Sequence, residues 1–312
     1  MICNDKKIAV LLGTYNGEKF LADQLNSLID QTFQDFKIYV HDDGSKDETC
    51  RIINTYKEKC SDKINVIKGS STGSPKGNFM FLMKSVESEY YMFCDQDDVW
   101  YKNKIELSYK TIQNKTGDDI NMPCCTFTDL CVTDSDVNVI SDSFYKFIGR
   151  NPKNTDYINL LKKNVFVGCT MLFNKGLRDE AIKVMDIDNI PMHDFWVGII
   201  ASLKGKVYFI DEATINYRQH ENNNMGASKP QYSLTKKISN INKIIKIKKN
   251  KTVEQRRIAK ELVNLLEQNN DKFIFFKNLS EISYKSKITR LLFYYKYNLL
   301  KDGNVLLNIV VI

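Results

Sequence analysis

Through the first two thirds of the chain, short unbroken apolar runs take turns with amphipathic stretches. KIAVLLG (6–12), FKIYVH (36–41), KINVIKG (63–69) and YYMFC (90–94) are each of strand length and stop against turn-forming residues. Between them apolar positions recur at helical spacing. Phe20, Leu21, Leu25, Leu28 and Ile29 follow Glu18; Cys50, Ile52, Ile53 and Tyr56 follow Asp47, a residue suited to cap a helix; FMFLMKSV follows the turn-rich loop GSSTGSPKGN, which holds Lys76 and Asn78. Further on, the pattern predicts a helix over 102–114 and a strand over 123–132. VFVGCTMLFNKGL (165–177) predicts a strand with a polar turn and then a helix, a second helix starts at His193, and strands follow at 206–210 and in TINYRQH, ending at His220. Strand alternating with helix predicts an α/β fold: a Rossmann-like, mainly parallel mixed sheet flanked by helices, with ligands beyond the carboxyl ends of the strands.

From Pro230 onward the pattern changes. LTKKISNINKIIKIKKNKTVEQRR sets Ile238, Ile241, Ile244, Ile245 and Ile247 among lysines and arginines, with Glu254 as its one acid, and helices are predicted over 254–268, 271–283 and 285–301. The chain therefore divides into residues 1–229 and a basic, helical C-terminal region, 230–312. Much of the formal net charge of +7 falls in that region, which points to an anionic surface or partner. No run reaches the ~18 apolar residues a membrane-spanning helix needs, and the start, MICNDKKIAVLLG, has no signal-peptide pattern, so a cytoplasmic protein is expected. The eight cysteines form no CxxC pair and read as reduced core residues.

Two acidic groups sit where strands should end. VHDDGS carries Asp42 and Asp43; FCDQDDVWY carries Asp95, Asp97 and Asp98. Clustered anions resist burial unless a cation or hydrogen-bond donors lie between them. On neighbouring strands the two groups would converge on one rim, with Asp95 and Asp97 on the same side of the chain and Asp98 turned into the next loop. The bland alternative is a DDGS turn and a helix cap from Asp97 or Asp98. Oxygen ligands of this kind suit magnesium or manganese held with a nucleotide diphosphate, to which His220 can add a nitrogen. The three histidines, His41, His193 and His220, all lie beside polar clusters at element ends. Trp100, Phe195 and Trp196 read either as an apolar wall of the site or as packing residues.

TYNG (14–17), DDGS (42–45), DQDDVW (95–100), GCTMLFN (168–174), MHDFW (192–196) and YRQHENN (217–223) occur in an order that resembles glycosyltransferase family 2, inverting enzymes of the GT-A fold. The combination is most similar to the bacterial rhamnosyltransferases of cell-wall and capsular polysaccharide synthesis. The resemblance implies that Thr14, Tyr15, Asn16, Asp42 and Asp43 serve the nucleotide, that Lys76 and Asn78 reach the diphosphate, and that Asp95 and Asp97 face the donor. Asp97, Asp98 and His220 would hold a divalent metal, Mn2+ or Mg2+; Asp194 would be the general base; His193, Trp196 and Trp100 would lie toward the acceptor. His193 departs from the glutamate usual there.

A base must lie within ~2.6–3.2 Å of the acceptor hydroxyl, and one carboxylate suffices for an inverting displacement. The implied donor is dTDP-rhamnose, with a UDP-hexose second, and the implied acceptor is a lipid-linked saccharide at the inner face of the membrane. The basic tail suits that surface, and RLLFYYKYNLL (290–300) suits a homodimer contact. A nucleotidyltransferase would want a glycine-rich basic loop near the first strand, where only Lys19 stands. A nucleic-acid-binding protein would leave the acidic rims without purpose, so no nucleic-acid partner is expected.

Overall fold

The computed structural model describes residues 1–117, 119–221, 241–268 and 270–299. Its strands are β1 (Ile2–Cys3), β2 (Ile8–Thr14), β3 (Phe36–Asp42), β4 (Ile64–Val66), β5 (Val86–Glu87), β6 (Tyr90–Cys94), β7 (Val99–Trp100), β8 (Cys124–Thr133), β9 (Val139–Ser141), β10 (Met171–Asn174) and β11 (Lys206–Arg218). Helices α1 (Leu21–Ile29), α2 (Thr49–Lys59), α3 (Pro75–Ser85) and α4 (Lys104–Thr116) connect the first strands. Then come α5 (Phe144–Ile148), α6 (Tyr157–Lys162), α7 (Lys175–Ala181) and α8 (His193–Lys204), and finally α9 (Ile241–Val263), α10 (Asp271–Glu281) and α11 (Lys287–Lys296).

Nine strands form one mixed sheet in the order β4-β3-β2-β6-β10-β8-β11-β7, with β9 beside β8; β1 and β5 form a separate parallel pair. The half built on β2 is parallel, whereas β10 runs antiparallel to both β6 and β8. β2 explains its own sequence. Ile8 to Leu12 are all 0% exposed, so every position is apolar. Alternation survives in the packing: Ala9 and Leu11 enter one core, and Ile8, Val10 and Leu12 the other.

Several expectations change. β2 lies between β3 and β6, so the two acid-bearing strands flank a common neighbour instead of each other. α3 begins at Pro75 because the Ser74 hydroxyl accepts from the Gly77 N–H at 3.1 Å and proline suits the first helical position. Lys76 and Asn78 are thus in its first turn, not in a loop. The strands expected at 206–210 and 214–220 are one, β11, whose register slips near Ile210 and Ala213 where Asp211 and Glu212 stand exposed. Cys94, Cys124, Cys125, Cys131 and Cys169 are buried as expected, but Cys3 and Cys50 are exposed.

The C-terminal helices close over the sheet. Ile258, Ala259 and Leu262 of α9 and Phe275, Phe276 and Leu279 of α10 share a core with Trp196 and Phe173. Polar ties hold the same seam: Gln255 donates to the Leu161 carbonyl at 3.0 Å, and Glu261 accepts from Asn189 at 2.7 Å and from the Met185 N–H at 2.9 Å. Phe293, Tyr294 and Tyr297 pack inward against Phe275 or its cluster, which engages much of the aromatic stretch expected at a dimer contact. The basic run before Ile241 lies outside the described residues. Among those described, no helix is long and apolar enough to cross a membrane.

Candidate active site

The loops after β2 and β3 are bolted together at the carboxyl edge of the sheet. Asp42, the last residue of β3, accepts from the Thr14 hydroxyl at 2.8 Å, the Ser45 hydroxyl at 2.5 Å and the Ser45 N–H at 2.8 Å. Burial raises its affinity for a proton, but the bonds from Ser45, Thr14 and Cys50 outweigh it and hold the carboxyl below its ordinary range. Asp43 is buried and accepts from the Ser71 hydroxyl at 3.2 Å and from the Thr72 N–H. Gly44 supplies the turn with φ 91, a conformation side chains disfavour. Asn16 receives a bond from the Lys46 N–H at 2.9 Å and gives its own N–H to the Ser45 hydroxyl at 2.8 Å. Tyr15 leaves its ring 54% exposed above this platform.

Gln96, which the sequence left without a role, clamps Tyr15. Its amide accepts from the Tyr15 N–H at 2.8 Å and donates to the Tyr15 carbonyl at 2.9 Å. A side chain at Gly17 would place its first carbon 2.3 Å from the Gln96 oxygen and so would push the Gln96 amide off Tyr15. Asn78 turns away from the rim: it is buried, bonded to the His41 ring at 2.9 Å and to the His41 carbonyl at 3.1 Å. Lys76 donates to the Ile190 carbonyl at 2.9 Å. His41 itself belongs to the scaffold, packed on Phe81.

The acids after β6 do gather, though not as the alternation predicted. Asp98 is 0% exposed; with Asp95 and Cys169 it brings ligand atoms within 4.8 Å of one another. Asp98 Oδ1 accepts from the Arg218 N–H at 3.2 Å, the Cys169 thiol lies against the same carboxyl, and Oδ2 is buried without a hydrogen-bond partner among the described residues. Asp97 instead meets the His220 ring, Oδ2 to Nε2, at 3.0 Å. Burial, then repulsion from Asp97 and Asp194, pushes Asp95 up to about 7. Burial, then Asp97 and Asp95, holds Asp98 well above its ordinary range. Beneath them lies a second residue that sequence reasoning missed. Lys104 is 0% exposed, stands 4.6 Å over the Trp100 ring, and has no hydrogen-bond partner among the described residues. Burial lowers its ammonium to about 8 against the pull of Cys169, Cys94 and Asp98. A cation in the first turn opposes the helix dipole of α4, and that anomaly is the one signal its sequence position offers.

Asp194 stands in the first turn of α8, opposite the acidic cluster, where the helix N-terminus favours an anion. Burial nonetheless raises it to about 7, opposed by bonds from the Phe195 and Gly168 N–H groups and the Asn164 side chain. Asp95 and Asp194 both keep some surface toward the rim. Gly168 is packed tightly here: a side-chain carbon would lie 2.8 Å from His193 Nε2 and 3.6 Å from the Asp194 side chain. His193 is wedged between Phe79 at 4.2 Å and Phe93 at 4.6 Å, and burial drops it to about 3, so it is neutral at ordinary pH. It makes no hydrogen bond among the described residues and so does not orient Asp194 through one. Neither tryptophan reaches an acceptor: Trp196 is 0% exposed and donates to the Ala181 carbonyl, and Trp100 is 2% exposed over Lys104. A cleft of about 320 Å³ opens between the 188–191 segment, which leads into α8, and α9, lined in part by Asp188, Asn189, Asn250 and Arg257.

A mixed sheet flanked by helices, with acid-bearing loops at its carboxyl edge, has the architecture of a sugar transferase of the GT-A fold. The sequence profile described as Glycosyl transferase family 2 matches residues 9–181, and the chain belongs to that family. It is 30% identical over 228 residues to the dTDP-rhamnosyl transferase RfbG of Shigella flexneri, covering 70% of this chain and 74% of that one. It is 38% identical over 103 residues to the poly(ribitol-phosphate) beta-N-acetylglucosaminyltransferase TarS of Staphylococcus aureus, covering 32% of this chain and 18% of that one. Among solved structures, TarS 1–349 in complex with UDP-GlcNAc matches with TM-score 0.58 at 19% identity, over 93% of this chain and 80% of that one. The mannosyltransferase PcManGT from Pyrobaculum calidifontis, in complex with GDP-Man and Mn2+, matches with TM-score 0.51 at 12% identity, over 94% and 73%. The protein is thus an enzyme that transfers a sugar.

Proposed function

We propose that the protein is an inverting glycosyltransferase that moves rhamnose from dTDP-rhamnose to a lipid-linked saccharide, at the cytoplasmic face of the membrane, in bacterial polysaccharide synthesis. The observation that carries the chemistry is Asp194: a half-buried carboxyl raised to about 7 and close enough to Asp95 to repel it. The similarity to RfbG supports the rhamnosyl donor.

In this reading Tyr15 stacks on the base, while Thr14, Asn16, Asp42 and Asp43 shape the loop that receives the nucleoside. Asp95 and Asp98, with Asp97 beside them, fit a hard divalent cation, Mn2+ or Mg2+, because the Asp95 and Asp98 carboxylates bring ligand oxygens within 4.8 Å of one another and Asp98 Oδ2 has no hydrogen-bond partner among the described residues. His220 stands behind Asp97 and orients it, and the Cys169 thiol, raised well above its ordinary value by burial, stays protonated. A bound cation supplies charge stabilisation for the departing diphosphate. Asp194 takes the acceptor hydroxyl's proton as that oxygen attacks the anomeric carbon from the face opposite the leaving group. The acceptor saccharide enters along the cleft between Asn189 and Arg257, whose carboxylate, amide and guanidinium groups suit sugar hydroxyls.

A donor screen tests this. Nucleoside diphosphate release is scored for dTDP-rhamnose, UDP-glucose, UDP-galactose, UDP-GlcNAc and GDP-mannose, with Mn2+, with Mg2+ and with chelator. Preference for dTDP-rhamnose, lost on chelation, is expected. Preference for a UDP-hexose would replace the donor, a reading the TarS complex with UDP-GlcNAc favours second, and turnover with none of them would overturn the proposal.

A further inference from the structure

We propose that the C-terminal helices carry a phosphate-binding pocket, separate from the sugar-transfer site. A cavity of about 210 Å³ lies between α9 and α11, lined by Lys249, Thr252 and Arg256 on one side and Arg290 and Tyr294 on the other, with Ile282 among them. Its volume falls below the ~300–1,000 Å³ of drug-sized ligand sites and suits a small anion. Among the described residues three cations face it and no carboxylate lines it; Glu254, on the same helix, is engaged by Lys251. Among the described residues none of these three cations has an ion-pair partner.

Two buried polar atoms point to what is missing. Tyr294 is 2% exposed, and among the described residues its hydroxyl and Arg290 Nε both lack a hydrogen-bond partner. Such atoms are costly to leave unpaired, and the fold retains both of them in one cavity. Burial holds the Tyr294 hydroxyl up at about 12 despite Arg256 and Arg290, so it remains a donor. Two guanidinium groups, an ammonium and a hydroxyl, all donors, match the acceptor oxygens and double charge of a phosphate; guanidinium forks bind such oxygens in pairs. A lipid headgroup or a soluble phosphate presents this same chemistry.

The test uses the full chain. Thermal melts are followed during titration with sodium phosphate and with sodium chloride at matched ionic strength. Wild type is expected to gain stability saturably with phosphate alone. Arg256→Gln/Arg290→Gln should weaken phosphate binding about tenfold or more, as loss of hydrogen bonds to a charged group implies. Arg256→Lys/Arg290→Lys, which keeps the charge but not the fork, should weaken it less, and guards against a variant that fails to fold. Lys246→Gln/Lys260→Gln removes equal charge from exposed positions and should leave binding unchanged. Flotation with phosphatidylcholine vesicles, with and without phosphatidic acid, separates the sources. Capture by phosphatidic acid that the pocket variants lose and inorganic phosphate competes identifies a headgroup. Protection by phosphate without capture identifies a soluble ligand. Equal response to phosphate and chloride, or equal loss in pocket and surface variants, overturns the proposal.

Discussion

At Gly168 a single hydrogen atom separates room from collision. A methyl there would meet His193 at 2.8 Å, and His193 is pinned between two phenylalanines, so the strain falls on the start of α8, where Asp194 is the next residue. Gly168→Ala is therefore expected to lower kcat about a hundredfold with donor affinity retained, since small displacements of a reacting group cost that much; separate kcat and KM measurements check it. Asp194 also leaves a mark on stability. Its folded value near 7 lies above the 3.8 of an unperturbed carboxyl, so the stability it contributes is complete below about pH 4 and is lost as pH rises toward 7. Melts of Asp194→Asn against wild type should show an advantage for the variant that widens between those limits and is constant above. At this scale the acids were legible in the sequence because each follows an apolar run. Gln96 and Asn164 were not, because what defines them is a partner remote in the chain: Gln96 holds Tyr15, and Asn164 holds Asp194. Lys104 was not, because, its first-turn position apart, nothing local announces that a lysine is fully buried.

The elements themselves were largely readable, because apolar runs such as Ile8–Leu12 are long enough to specify buried strands. What escaped was decided by local competition. Ser74-Pro75 carries a cap and a first-turn proline, yet glycines and serines on either side disguise it as loop. Asp211 and Glu212 read as a strand end, but β8 continues alongside and carries β11 through with a register slip. The interlocked loops after β2 and β3 make a prediction. Gln96→Ala removes both bonds to Tyr15 and should raise the donor KM about tenfold, the worth of one to two hydrogen bonds, with little change in kcat. An unchanged donor KM would mean that the platform is rigid without the clamp.

On the scale of the whole molecule, the lysine-rich tail is also core. Isoleucines among lysines read as a surface helix, and nothing in that local pattern announces that Ile258, Ala259 and Leu262 meet the face of a distant sheet. Deletion of residues 230–312 should therefore yield an aggregation-prone chain with a lowered melting temperature, because it uncovers Trp196's surroundings and strands Leu161, Asn189 and Leu203 without their partners. A soluble, monomeric truncation that melts like the full chain would show that the sheet is complete without these helices.

In the proposed mechanism Asp194 is the base that faces a donor held at the acidic rim. Turnover of wild type and Asp194→Asn, followed by nucleoside diphosphate release in the presence of acceptor from about pH 5 to about pH 9, tests it most directly. Wild-type kcat should climb to a plateau above about 7, and the variant should lose about a thousandfold or more at every pH while it still binds donor. A variant that turns over like wild type, or a wild-type profile flat through that range, would contradict it.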